Sequence, residues 1–213
     1  MFDDVRVLLW DLDGTLYKSV PELDAERWRV DVGVITKIFK IPYEKAYNKL
    51  IAAKKKYKSI TKSMSILGCG SPIAILKQVE PRINRARYLS YDLRLVRLFN
   101  KLVGYRHFIF SNILTNCIPP VLRKLGLKLS TFESFITTQE TDLIKPDINF
   151  FKYALSVTGF SPSQHLVIGD RVEVDLLPAK KLGMKTCLVW GKSDLVDVSL
   201  PDVYSLGNIL LRN

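Results

Sequence analysis

Histidine and cysteine are scarce in this chain of 213 residues, at two and three respectively. Cys69, Cys117 and Cys187 are odd in number and far apart, so they read as neither a disulfide framework nor a zinc site. No apolar run reaches the roughly 18 residues that a membrane-spanning helix needs. A P-loop and a G-x-S-x-G element are both missing, which removes two enzyme classes. Internal repeats and low-complexity linkers are missing too. The opening MFDDVRV is acidic before it is apolar, the wrong order for a secretory signal, so a cytoplasmic location is expected. Acidic residues are also in short supply: 21 Asp and Glu face 32 Lys and Arg, for a formal net charge of +11. Such an excess suits an anionic partner, whether nucleic acid, an acidic membrane surface or phosphorylated small molecules. What is present is an ordinary share of apolar residues, 47%, which argues for a packed core and against disorder. The length suits one large domain or one domain carrying an insertion.

Short apolar runs alternate with helical patterns along most of the chain. Strands are predicted at Val5 to Trp10, His107 to Phe110, Phe135 to Thr137, Leu166 to Ile168 and Thr186 to Trp190. Between them, helices are predicted from Leu93 to Leu102, Pro119 to Leu125, Ile148 to Val157 and Val172 to Leu182. Each of these helices is followed closely by a glycine that can stop it. The alternation argues for a parallel, doubly wound sheet. Residues 17–89 interrupt it after the first strand. Trp28, Val32, Ile35 and Phe39 stand at helical spacing within Pro21 to Lys40. Tyr43, Ala46, Leu50 and Ala53 do the same within Pro42 to Leu67. The expected division is a Rossmann-like core at 1–16 and 90–213, with an inserted helical cap at 17–89.

In open parallel sheets, ligands bind beyond the carboxyl ends of the strands. The first strand is followed by Asp11, Asp13, Gly14 and Thr15, and the second by Ser111 and Asn112. The fourth is followed by Gly169, Asp170 and, five residues on, Asp175; Lys145 precedes Pro146 before that strand. Carboxylates that converge repel one another unless a cation sits among them. Hard oxygen donors without a His or Cys cluster suit magnesium, which commonly accompanies phosphate. A carboxylate can also serve as nucleophile, giving an aspartyl-phosphate, and a second can act as general acid and base.

The set DLDGTLY, FIFSN, IKPD and GDRVEVD resembles the four motifs of the haloacid dehalogenase-like hydrolase superfamily, in the expected order. The resemblance covers the chain outside 17–89 and implies the following roles. Asp11 is the nucleophile and Asp13 the general acid and base. Ser111 and Lys145 bind the transferring phosphoryl group, with Asn112 assisting through its main-chain N–H. Asp170 holds Mg2+ together with Asp11 and the main-chain carbonyl of Asp13, and Asp175 supports the metal from the second shell. The dehalogenases of the superfamily lack an acid at the position of Asp13, so its presence implies phosphoryl transfer. The insertion resembles the helical cap of one large subgroup. DLDGTLYKS, AKKKYKSITKSM and LGMKTCLVW are similar to pyrimidine-type nucleotidases, although those carry Asn in place of Gly14 and two Asp in place of Gly169-Asp170. The activity expected is Mg2+-dependent hydrolysis of a small phosphorylated metabolite, with a nucleoside monophosphate as one candidate. The alternatives are a sugar-phosphate mutase of the same fold and a non-enzymatic module that binds anions or nucleic acid.

Simpler readings apply to the remaining residues. His107 and His165 have no ligand partners at suitable spacing and are expected to be structural. Arg171 and Glu173 are expected to be structural or solvent-facing. GCGS at 68–71 follows a helix and is expected to be a loop of the insertion near the substrate. Tyr43, Tyr47 and Tyr57 fit core packing better than nucleic-acid binding. Within 17–89 there are 16 basic and 6 acidic residues, so nearly all the net charge lies in the insertion. Its run Lys54, Lys55, Lys56 and Lys58 reads first as a solvated face and second as a means of attracting phosphorylated substrates, with Tyr57 or Lys62 near the leaving group.

Overall fold

The computed structural model describes residues 2–211. Its centre is a six-stranded parallel sheet in the order β3-β2-β1-β4-β5-β6. The strands are β1 (Val7–Trp10), β2 (Arg106–Ser111), β3 (Ser134–Thr137), β4 (His165–Gly169), β5 (Lys185–Val189) and β6 (Val198–Leu200). Side chains alternate between the two faces, as strand geometry requires. Leu8, Trp10, Ile109, Leu166 and Ile168 enter one buried cluster. Val7, Leu9, Phe108, Phe110 and Val167 enter the other. Both faces are thus apolar, which explains why the strands read as continuous hydrophobic runs.

The helices are α1 (Pro21–Phe39), α2 (Tyr43–Tyr57), α3 (Ile60–Ile66), α4 (Pro72–Val79), α5 (Leu93–Lys101), α6 (Ile118–Leu125), α7 (Thr138–Thr141), α8 (Ile148–Thr158), α9 (Leu177–Lys181) and α10 (Gly207–Leu210). The segment between β1 and α5 contains α1 to α4 and two short 3-10 turns, and no strand. On the sheet, α8 packs Phe150, Phe151 and Ala154 against the second cluster. On the opposite face α5 and α6 contribute Leu95, Leu98, Phe99, Val121 and Leu122.

Three local readings differ from expectation. The helix expected from Pro42 to Leu67 is broken at Lys58, whose left-handed backbone (φ 61°) ends α2 before Ser59 caps α3. No glycine marks that break, so the sequence pattern ran straight through it. The helix expected from Val172 opens instead with a π-helical turn, Val172–Leu176, before α9. The strand β6 was not expected: its three residues, VSL, offer too short an apolar run.

β1 lies between β2 and β4, where the strand order reverses. Trp10 is level with Ile109 on one side and Ile168 on the other. The residues that follow these three strands therefore emerge together at one edge of the sheet, at the topological switch point.

Candidate active site

Asp11, Ser111 and Lys145 meet at that edge. Asp11 is 2% exposed and Lys145 fully buried. The Ser111 hydroxyl donates to Asp11 Oδ1 at 2.8 Å, and Lys145 Nζ donates to the same oxygen at 2.9 Å. Lys145 Nζ also donates to the Phe110 carbonyl and pairs with Asp175 Oδ1 at 2.7 Å. Burying an ammonium group is tolerable only with such partners. Asn112 holds this lysine through its side chain, a contact that was not expected. Its Nδ2 donates to the Lys145 carbonyl at 2.9 Å, and its Oδ1 accepts from the Lys145 N–H at 2.7 Å.

The π-helical turn brings Asp175 back under Asp170. Gly169 makes room: a Cβ there would stand 2.6 Å from the Asp175 Cβ. Gly14 does the same for Asp170, whose Oδ2 would lie 2.4 Å from an added Cβ, and its φ of +80° also favours glycine. In this structure a side chain at either position would collide with a site carboxylate, so glycine is required at both.

Asp11, Asp170 and Asp175 each offer an oxygen within 4.8 Å of the others. Burial, then the charges of Asp11 and Asp175, push the Asp170 carboxyl up to about 7. Asp11 Oδ2 and Asp170 Oδ1 are buried and accept no hydrogen bond. Two oxygens left without donors in a buried carboxylate cluster fit a divalent cation. Asp175 is already engaged. Against the effect of its burial, Arg171 and then Lys145 hold its carboxyl below the usual range.

Arg171 departs from expectation. Its Nε lies 3.2 Å from Asp175 Oδ2, and its guanidinium stands 3.7 Å from both Asp11 Oδ2 and Asp170 Oδ1. It is a member of the site, placed there by the turn that follows β4. Nothing in residue spacing distinguishes it from a solvated arginine.

Asp13 lies two residues beyond Asp11 and is held by the helical insertion. Arg85 Nε donates to both of its oxygens at 2.9 and 3.0 Å, and Arg27 Nη1 donates to Oδ2 at 2.8 Å. The Tyr17 hydroxyl adds a third donor. Burial opposes ionisation of Asp13, but Arg85 and then Arg27 outweigh it and hold the carboxyl well below the usual range. Glu80 pairs with the far side of Arg85 at 2.7 Å. Burial pushes nearby Asp31 up to about 7. Sequence reading missed Arg27 and Arg85 because they stand far from Asp13 along the chain.

A cleft of about 360 Å³ joins Asp11, Asp13, Asp170, Ser111 and Asn112 to Trp28, Lys54, Lys58, Ser59 and Thr61 of the insertion. Trp28, one of the apolar residues at helical spacing in α1, packs against the core and forms part of its wall. Tyr57 and Lys62, expected near the leaving group, do not line it, and neither does GCGS, which turns between α3 and α4. His107 and His165 are occupied within the fold. His107 accepts from the Trp10 indole N–H, and its other ring nitrogen bonds the Leu102 carbonyl. The His165 ring bonds the Ser161 carbonyl and the Thr158 hydroxyl.

Comparison with known proteins places this geometry. The model of the haloacid dehalogenase-like hydrolase family matches residues 5–183. A glyceraldehyde 3-phosphate phosphatase of Methanocaldococcus jannaschii is 29% identical over 202 residues, covering 85% of this chain and 83% of the relative. A protein of the same name from Pyrococcus furiosus is 24% identical over 206 residues, covering 88% and 81%. Among solved structures, a haloacid dehalogenase-type phosphatase from Thermococcus onnurineus superimposes with a TM-score of 0.64 at 18% identity, covering 97% of this chain and 98% of that one. The L-2-haloacid dehalogenase of Xanthobacter autotrophicus gives 0.62 at 13% identity, with the same coverage. The sheet order, the strand-end residues and the family match agree: this chain belongs to the haloacid dehalogenase-like hydrolases.

Proposed function

We propose that this hydrolase is a magnesium-dependent phosphatase of a small phosphorylated metabolite, with the helical insertion 17–89 acting as a cap. The observation that carries this reading is the convergence of Asp11, Ser111 and Lys145 beside two carboxylate oxygens that accept no hydrogen bond. The curated relatives named as glyceraldehyde 3-phosphate phosphatases support a sugar-type phosphate over a nucleoside monophosphate. In this reading Asp11 and Asp170, with the main-chain carbonyl of Asp13, would hold the ion, and Asp175 would support them. Bound magnesium would neutralise charge on the transferring phosphoryl group.

Asp11 attacks phosphorus, forming the aspartyl-phosphate as the ester bond to the leaving oxygen breaks. Ser111 and Lys145 donate to the phosphoryl oxygens. Asp13 delivers a proton to the leaving oxygen, then takes one from the water that attacks the intermediate and frees Asp11. In the structure Asp13 is paired with two guanidiniums and therefore charged, the form suited to the second step. Loss of the Arg27 contact, the more exposed of the two, would leave Arg85 alone and raise the affinity of Asp13 for the proton that the first step needs.

The test is phosphate release from p-nitrophenyl phosphate, glyceraldehyde 3-phosphate and a panel of nucleoside monophosphates. Release should stop on chelation and return with added magnesium. Isomerised sugar phosphate without free phosphate would identify a mutase instead. Binding of nucleic acid with no turnover of any phosphate ester would identify a non-enzymatic module.

A further inference from the structure

Most cations around the catalytic carboxylates already have carboxylate partners. Arg27 and Arg85 hold Asp13, Arg171 holds Asp175, and Lys145 bridges Asp11 and Asp175. Lys54 and Lys58 differ. Both line the cleft, and among the described residues neither has a carboxylate within 4.0 Å. Lys54 Nζ lies 5.1 Å from the centre of the Trp28 ring, a weak attraction that leaves its three donors free. The Trp28 indole N–H is buried and has no acceptor. Asp24, the acidic residue on that wall, takes the Ser19 hydroxyl at 2.6 Å. A lysine run at the end of a helix also complements its macrodipole, which accounts for Lys54, Lys55 and Lys56 in the last turn of α2. It does not by itself bring Lys54, Lys58 and Trp28 onto the lining of the same cleft as the nucleophile.

We propose that Lys54, Lys58 and Trp28 form a leaving-group subsite that selects phosphomonoesters carrying a second anionic group, a carboxylate or another phosphate. The inference rests on the phosphatase reading and deepens it. An anion there meets two cations and an N–H donor in a partly enclosed cleft, where such contacts are stronger than in bulk water. A neutral leaving group leaves the same three donors unanswered.

The test uses two matched pairs. Glyceraldehyde 3-phosphate and 3-phosphoglycerate differ by a carboxylate. Fructose 1-phosphate and fructose 1,6-bisphosphate differ by a phosphate. The expected result is a kcat/KM about tenfold higher for the charged member of at least one pair, and the pair that responds identifies the anion. In a Lys54→Gln/Lys58→Gln double variant that ratio should fall towards one, through KM more than kcat. Lys54→Arg/Lys58→Arg should restore it, which a merely structural role would not require. Equal or lower kcat/KM for both charged members, or a double variant that keeps the preference, overturns the subsite. Hydrolysis of the neutral members with no preference for charge overturns the subsite and leaves the phosphatase reading standing. No phosphate release from any substrate, p-nitrophenyl phosphate included, overturns both.

Discussion

The sheet edge and the helical insertion contribute charge to one cleft in opposite ways. At the sheet edge, carboxylates crowd together with buried partners at fixed distances, and glycines clear the space between them. The insertion supplies cations, some clamped to Asp13 and others unpaired. The core therefore resembles a pre-set reaction centre, and the insertion a set of contacts whose partners can change. The contrast separates chemistry, which needs fixed geometry, from selection, which needs contacts that depend on the ligand.

The sharpest way to break this division is at Asp11. Replacing it with Asn should lower kcat by about 10⁴-fold or more while the melting temperature stays close to wild type, since Lys145 keeps Asp175 as a partner. Near-normal turnover by folded Asp11→Asn would refute the nucleophile. Gly14→Ala comes next. The added methyl meets Asp170 at a backbone angle that disfavours side chains, so activity should fall at least tenfold. A fully active Gly14→Ala would show that Asp170 can move without loss.

Arg85→Met tests the junction between the two regions. Arg85 is 3% exposed and pairs with both Asp13 and Glu80, so its loss strands the buried Glu80 and leaves Asp13 only Arg27 and Tyr17. The expected cost is about 3 to 5 kcal/mol, read by urea denaturation. Arg27→Met should cost less because Arg27 is 29% exposed. Equal effects would mean that the buried guanidinium contributes no more to the junction than the exposed one.

The smallest effect belongs to the core alone. Burial lowers the pKa of His107 below its usual 6.5. Its nitrogen facing the Trp10 N–H acts as an acceptor and cannot take a proton without losing that bond. The unfolded chain takes up a proton as pH falls through about 6.5, while the folded protein resists until its own lower value is reached. The histidine contribution to stability should therefore decline as pH falls through that window, opposed by Asp31 and Asp170, whose carboxyls are raised to about 7. Burial shifts His165 the same way. A His107 ring that takes up its proton at or above 6.5 in the folded protein, followed by NMR titration, would contradict this assignment.

The sequence was most readable where burial on both faces made it simple. β1, β2, β4 and β5 appear as short apolar runs, and the residues after them stand out as polar exceptions. β6 stayed hidden because VSL at a sheet edge carries too few apolar residues to form a pattern. The break at Lys58 lacked the glycine that usually announces a left-handed residue. Arg27, Arg85, Arg171 and Trp28 were unreadable for a different reason. Their importance comes from which group they meet in the folded chain, and one arginine looks like another in sequence. Asp175 was visible by its spacing, but its bonds to Lys145 and Arg171 depend on a π-helical turn that local pattern does not reveal.

The pairing of Asp13 with Arg27 has a consequence for how affinity should be understood. An arriving anion does not enter vacant space beside that guanidinium; it competes with a resident carboxylate. Binding is then an exchange of one counter-ion for another, and the displaced carboxylate is the group that has to handle protons next. A weak apparent affinity would in that case measure the strength of an internal ion pair as much as the fit of the ligand.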